Sequence, residues 1–123
     1  MDLDLDLPLA GHTIRRVEAD AVIVDSTRLA QSFLLSPSTL LSNWPFTTVE
    51  QLDDDATRAI LALKPELVLI GSGPRQVFVA PAIQAAFLRH GIGIECMDNH
   101  ACARTFNLLA GEGRHVVAAV LLP

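Results

Sequence analysis

The chemistry available to this chain starts with Gly71-Ser72-Gly73 and the nearby Arg75. Small residues let backbone N–H groups approach an anion, and an arginine adds charge. The spacing does not fit a dinucleotide fingerprint, because Pro74, Arg75 and Gln76 follow where a third glycine is needed. It also lacks the Gly-Lys-Ser/Thr of a phosphate loop, so a tight turn is the competing reading. Cys96, Asp98, His100 and Cys102 are all residue types that bind zinc. Yet Cys96 should end a strand, while Cys102 falls on the apolar stripe of the next helix with Thr105, Phe106 and Leu109. Packing is therefore favoured over a metal or a redox pair. A hydrolase triad of Ser72, His100 and Asp98 fails on two counts. Asp98 and His100, two apart, do not share a helix face. Ser72 has no Gly-x-Ser-x-Gly elbow. No catalytic residue, metal or cofactor is assigned.

The last helix carries a polar stripe of His100, Arg104, Asn107 and Gly111, with Glu112 and Arg114 just beyond it. Such a stripe is most often solvated. It also offers a network in which Arg104 holds Glu112 or Glu66 and Asn107 ties down a loop backbone. Alternatively it lines a pocket with the Gly71–Arg75 loop. The ligand-binding set would then be Gly71, Ser72, Gly73, Arg75, Asp98, Arg104 and Asn107, supported by Glu66, Glu112 and Arg114. Arg75, Arg104 and Arg114 would make that corner locally positive.

These residues need elements to position them. Period-two alternation in Asp2 to Leu7 is strand-like but terminal, so residues 1–8 can fray. His12 to Val17, Ala21 to Val24 and Ala30 to Leu35 read as an antiparallel meander, with Asp25-Ser26 as a turn. Ser36-Pro37-Ser38 breaks the pattern, and a connector carrying Leu40, Leu41, Trp44 and Phe46 follows. Trp44 reads first as a packing anchor. The four residues are also a candidate protein-interaction patch, and the Leu3/Leu5/Leu7 edge is a second. Asp53, Asp54 and Asp55 mark a helix start rather than a metal site, and Pro65 stops that helix.

Leu67 to Ile70 is a continuous apolar run, expected as a strand buried on both faces. Pro81 opens a helix that Gly91 closes, and Ile92 to Met97 is the next strand, which completes a right-handed crossover. Asp98 caps a third helix that Gly111 ends, and Arg114 to Leu122 is a final strand. The expected architecture is one α/β domain over residues 1–123, with a mixed central sheet, an N-terminal meander, a β-α-β crossover and about three helices.

Composition bounds the function. The chain has 123 residues, half of them hydrophobic and 19% charged, which suits a folded core rather than disorder. No apolar run approaches the ~20 residues of a membrane span. The net charge of −5 is uneven. Ten acids and four bases lie in residues 1–62, against four acids and five bases in 63–123. No basic footprint for nucleic acid is present. Met1 to Pro8 does not resemble a secretory signal, and two cysteines fit a reducing compartment, so a cytoplasmic location is expected. Monomer or weak homodimer is the expected state.

Longer stretches carry a resemblance. Pro65-Glu66-Leu67-Val68-Leu69-Ile70-Gly71-Ser72-Gly73 resembles the Pro-Glu-(apolar run)-Gly-Thr-Gly segment of the Mth938-like family. Gly91 to Asp98 continues the match. It is strongest in Ala103-Arg104-Thr105-Phe106-Asn107-Leu108-Leu109 and in Glu112-Gly113-Arg114-His115-Val116-Val117-Ala118-Ala119. Ser32 to Pro37 and Trp44 also fit. Ser72 stands where the family often has Thr, and Asn99-His100 depart from its usual Thr. The resemblance implies a compact α/β domain with a mixed sheet. Eukaryotic relatives of the family include mitochondrial complex I assembly factor 3 and an adipogenesis-associated protein. The resemblance implies a non-enzymatic accessory or assembly factor that binds another protein, with biogenesis of a membrane or respiratory complex as the expected setting. The alternative is an enzyme or sensor for a small anion, built on the Gly71–Gly73 loop and the facing helix.

Overall fold

The computed structural model describes residues 11–123. The Leu3/Leu5/Leu7 alternation lies outside that range. In chain order the elements are β1 (Ile14–Val17), β2 (Val22–Val24), β3 (Thr27–Leu29), β4 (Phe33–Leu35) and β5 (Leu40–Leu41). A short 3-10 turn (Val49–Gln51), α1 (Asp54–Leu61), β6 (Leu67–Gly71), α2 (Pro81–Leu88), β7 (Gly93–Met97), α3 (Asn99–Gly111) and β8 (Val116–Val120) follow.

The main sheet has the order β5-β4-β8-β6-β7. β6 runs parallel to both β7 and β8, while β4 is antiparallel to β8 and β5. The apolar run therefore occupies an interior strand, with Val68, Leu69 and Ile70 fully buried. Alternation divides its contacts. Leu69, Ala118, Phe33 and Leu35 face one core with Phe106 of α3. Val68, Ile70, Val117, Ala119 and Leu34 face another with Ile60 of α1, Phe87 of α2 and Trp44. Each large apolar side chain buried this way contributes roughly 1.5–3 kcal/mol.

The N-terminal meander is real but assembled differently from expectation. β1-β2-β3 form a separate antiparallel sheet, turning at Asp25-Ser26, with Asp25 at φ 56°. The expected third strand, Ala30 to Leu35, does not join the meander, and its place is taken by residues just before it. Thr27–Leu29 completes the small sheet, and Phe33–Leu35 crosses to the main one. Phe33, Leu34 and Leu35 are all buried, so this segment belongs between two covered faces.

The helix signals hold. Asp53 accepts the Ala56 N–H at 3.0 Å, and Asp54 and Asp55 occupy the first turn, so the acid cluster starts α1. Asp98 accepts the Ala101 N–H at 2.8 Å at the start of α3. Gly111 is the last residue of α3 and not its terminator. That position falls to Gly113, whose φ of 82° places it in the left-handed region, where a Cβ is disfavoured.

Candidate functional site

The Gly71–Gly73 loop leaves the C-terminal end of β6 and is closed by its own chain. Ser72 N–H donates to the Met97 carbonyl at 2.8 Å. The Ser72 hydroxyl donates to the Arg75 carbonyl at 2.6 Å and accepts the Val77 N–H at 3.1 Å. Gly73 N–H donates to Asn99 Oδ1 at 3.0 Å. The N–H groups on which anion binding depended are therefore committed to protein acceptors. Asp98 is likewise committed as the α3 cap.

Asn99 organises this junction. It is 5% exposed, and its amide nitrogen donates to the Leu121 carbonyl at 3.0 Å. One side chain thus joins the loop after β6 to the residue after β8. It also explains Gly71, where a Cβ would lie 2.5 Å from Asn99 Oδ1 and 3.3 Å from Cys102 Sγ. The sequence carries a signal for Asn99. Asp98 and Asn99 are two adjacent capping-type residues, and one helix start needs only one cap.

The expected convergence of the loop with the polar stripe does not occur. α3 descends from the Gly73 end, so Asn107 lies eight residues, or ~12 Å, below Asn99. Glu66 and Arg114 sit at the opposite end of β6 from Arg75, ~20 Å away at strand rise. Arg75 and Arg114 thus belong to different ends of the molecule, and no single positive corner forms from them.

At that lower end the network is specific. Arg114 Nε donates to Glu66 Oε1 at 3.0 Å, in place of the expected Arg104–Glu66 or Arg104–Glu112 pairing, neither of which occurs among the described residues. The Arg114 hydrogen bond leads the causes that hold the Glu66 carboxyl below its ordinary value. Asn107 bonds twice to β1, accepting Ile14 N–H at 2.9 Å and donating to the Ile14 carbonyl at 2.8 Å. It acts as a surrogate strand along the outer edge of the small sheet. A cleft of about 450 Å³ lies here, with His12, Thr13, Asn107, Arg114 and His115 on its walls. Their polar atoms are largely engaged: His12 Nδ1 lies 2.7 Å from Asp25 Oδ2, and His115 Nε2 donates to the Leu63 carbonyl at 2.7 Å. Burial pushes the Asp25 carboxyl up, but the His12 and Thr13 hydrogen bonds and nearby positive charge outweigh it and leave it below its ordinary value.

Cys96 and Cys102 are free thiols on opposite faces of the main sheet. Cys96 packs toward α2, and Cys102 lies in the α3 core. Burial pushes the Cys96 thiol up and the Cys102 thiol up to about 12. Among the described residues, no group of three or more His, Cys, Asp or Glu side chains is placed to hold a metal.

The expected apolar patch is mostly core. Trp44 is 9% exposed and packs on Phe46 with ring centroids 4.7 Å apart. Leu40 is half-buried against the α3 core, which leaves only Leu41 exposed. The apolar side chains that do face outward include Phe78, Leu88 and Leu108, at 79%, 59% and 62% exposure. Among the described residues, no helix is long and apolar enough to cross a membrane.

The fold and these motifs can be set against known proteins. The family model for a protein of unknown function, DUF498/DUF598, matches residues 14–121. The chain belongs to this family. The bovine NADH dehydrogenase [ubiquinone] 1 alpha subcomplex assembly factor 3 is 28% identical over 98% of this chain and 65% of its own length. The human protein of the same name is 29% identical over 89% of this chain and 65% of its own length. The chain therefore spans just under two thirds of these relatives. Among solved structures, a Xanthomonas campestris protein is 39% identical with a TM-score of 0.84, covering 99% of this chain and 92% of that one. A Bordetella pertussis protein described as a Mth938-like domain is 27% identical with a TM-score of 0.81, covering 100% and 92%. The DUF498/DUF598 fold is thus the one described above, and the Mth938-like resemblance of the sequence is upheld.

Proposed function

We propose that this DUF498/DUF598 domain is a non-enzymatic accessory protein that binds another protein from the cytoplasm during biogenesis of a membrane or respiratory complex. The observation that carries this reading is the match of most of this chain to about two thirds of the length of assembly factors of NADH dehydrogenase. The site geometry supports it. The Gly71–Gly73 donors and the Asn107 amide are spent on holding the fold together, and the best-exposed aromatic side chain, Phe78, has no core role.

The test is recovery of tagged full-length protein from the native host, with and without membranes. A specific partner belonging to a membrane complex supports the reading. Recovery of nothing above background, in both fractions and after mild crosslinking, overturns it.

A further inference from the structure

We propose that the outer edge of β7, with the groove beside it, accepts an extended basic-apolar segment of a partner protein as an added strand. This deepens the protein-binding reading and rests on it. β7 is the last strand of the main sheet, and among the described residues no strand pairs with its far side. The other edge, β5, is two residues long, so β7 is the edge with room for a ladder. Which groups face outward is fixed by hydrogen bonds. The Met97 carbonyl turns inward to Ser72 N–H, and the Cys96 carbonyl turns outward, where Gln76 Nε2 reaches it at 2.9 Å. Alternation then leaves the Ile94 N–H and carbonyl, and the Cys96 N–H, on the open side. Such a row is a template for strand addition.

The groove makes the edge selective. It encloses about 310 Å³ between Gln76, Phe78, Val79, Gln84, Ile94 and Glu95. Phe78 forms an apolar wall that is 79% exposed. Leu88 of α2, 59% exposed, adds apolar surface on the helix packed beside β7. Among these lining residues Glu95 carries the one full charge, on an exposed side chain. A partner strand that alternates apolar residues with Lys or Arg would seat its apolar side chains by Phe78 and set a cation opposite Glu95. A second copy paired antiparallel about Glu95 would oppose two carboxylates, which disfavours self-pairing.

The experiment uses the full-length, isotope-labelled protein and two labelled nine-residue peptides, one alternating Val with Lys and the other Val with Glu. The Val–Lys peptide should bind at least tenfold tighter, with amide shifts centred on Ile94 to Cys96. Phe78→Asp should weaken it at least tenfold, and Glu95→Lys should reverse the preference. Both positions are exposed, and circular dichroism with melting checks that each variant folds. Absence of saturable binding overturns the proposal, as do shifts centred elsewhere or a concentration-dependent dimer through β7. The broader reading is tested separately with the native partner. If wild type and both variants recover that partner equally, the β7 site falls and protein binding stands. If wild type recovers none, the broader reading itself falls.

Discussion

Replacing Asn99 with alanine tests the junction that fixes the upper end of the sheet. The side chain accepts from Gly73 N–H and donates to the Leu121 carbonyl, each at 3.0 Å and each buried. Removing it strands one donor and one acceptor, each costing ~1–3 kcal/mol. A total near ~3 kcal/mol is expected, since one partner lies in a loop that can adjust. With a urea slope of ~1.5 kcal/mol/M, the midpoint should fall by ~2 M at unchanged slope. Asn99→Asp separates the two bonds. The introduced carboxyl still accepts from Gly73 but cannot donate to Leu121 when ionised. Burial raises its folded-state pKa, so the stability gap to wild type should narrow as pH falls toward 4. Gly71→Ala supplies the coupling. Its Cβ would strike Asn99 Oδ1 at 2.5 Å, so it should be costly alone and markedly cheaper in the Asn99→Ala background. A stability change for Asn99→Ala within ~0.5 kcal/mol of zero, or strictly additive effects with Gly71→Ala, would refute the argument.

Other outcomes follow from the same contacts. Asn107→Ala should cost ~1–3 kcal/mol and raise hydrogen exchange selectively in residues 14–29, because both of its bonds go to Ile14. Asp25 has a lowered pKa, so its contribution is present above its unfolded value of ~3.9 and is lost as pH falls through the folded value. Asp25→Asn should therefore lose at most ~1 kcal/mol at pH 7, with the gap closing below about pH 4 in acid titration of stability. Cys102, fully buried with its thiol pushed up to about 12, should resist iodoacetamide at pH 8 until the chain unfolds. Half-buried Cys96 should react slowly in the native state, and mass spectrometry under oxidant should show no intramolecular disulfide. Arg114→Ala should change stability by less than ~0.5 kcal/mol, as its exposed ion pair with Glu66 predicts; a larger loss in thermal melts would mean the pair orders the sheet end.

Much of the scaffold was legible because its signals are local. The run from Leu67 to Ile70 is apolar at every position, which only a strand covered on both faces requires. The Asp53 and Asp98 caps identify helix starts through one side chain and one turn of backbone. The boundary between β3 and β4 was not legible. Residues 27–35 contain no strong breaker, and only packing shows that Thr27–Leu29 serves one sheet and Phe33–Leu35 another. Trp44 and Phe46 looked available as a patch because residue type does not record burial; their stacking on the α1/α2 core does.

By itself the sequence determined the class of fold, the crossover, the capped helices and the family likeness, because each depends on residues near one another in the chain or on composition. Tertiary structure decided where the polar residues meet. Arg104, Asn107 and Arg114 follow one another closely in sequence, yet α3 runs down the full height of the sheet and carries Asn107 and Arg114 away from the Gly71–Arg75 loop. A helix advances only ~1.5 Å per residue but always in one direction, so which end of a strand it approaches depends on the packing of the whole chain. For the same reason Asn99, next to a better-known capping residue, became the side chain that joins β6 to the end of β8.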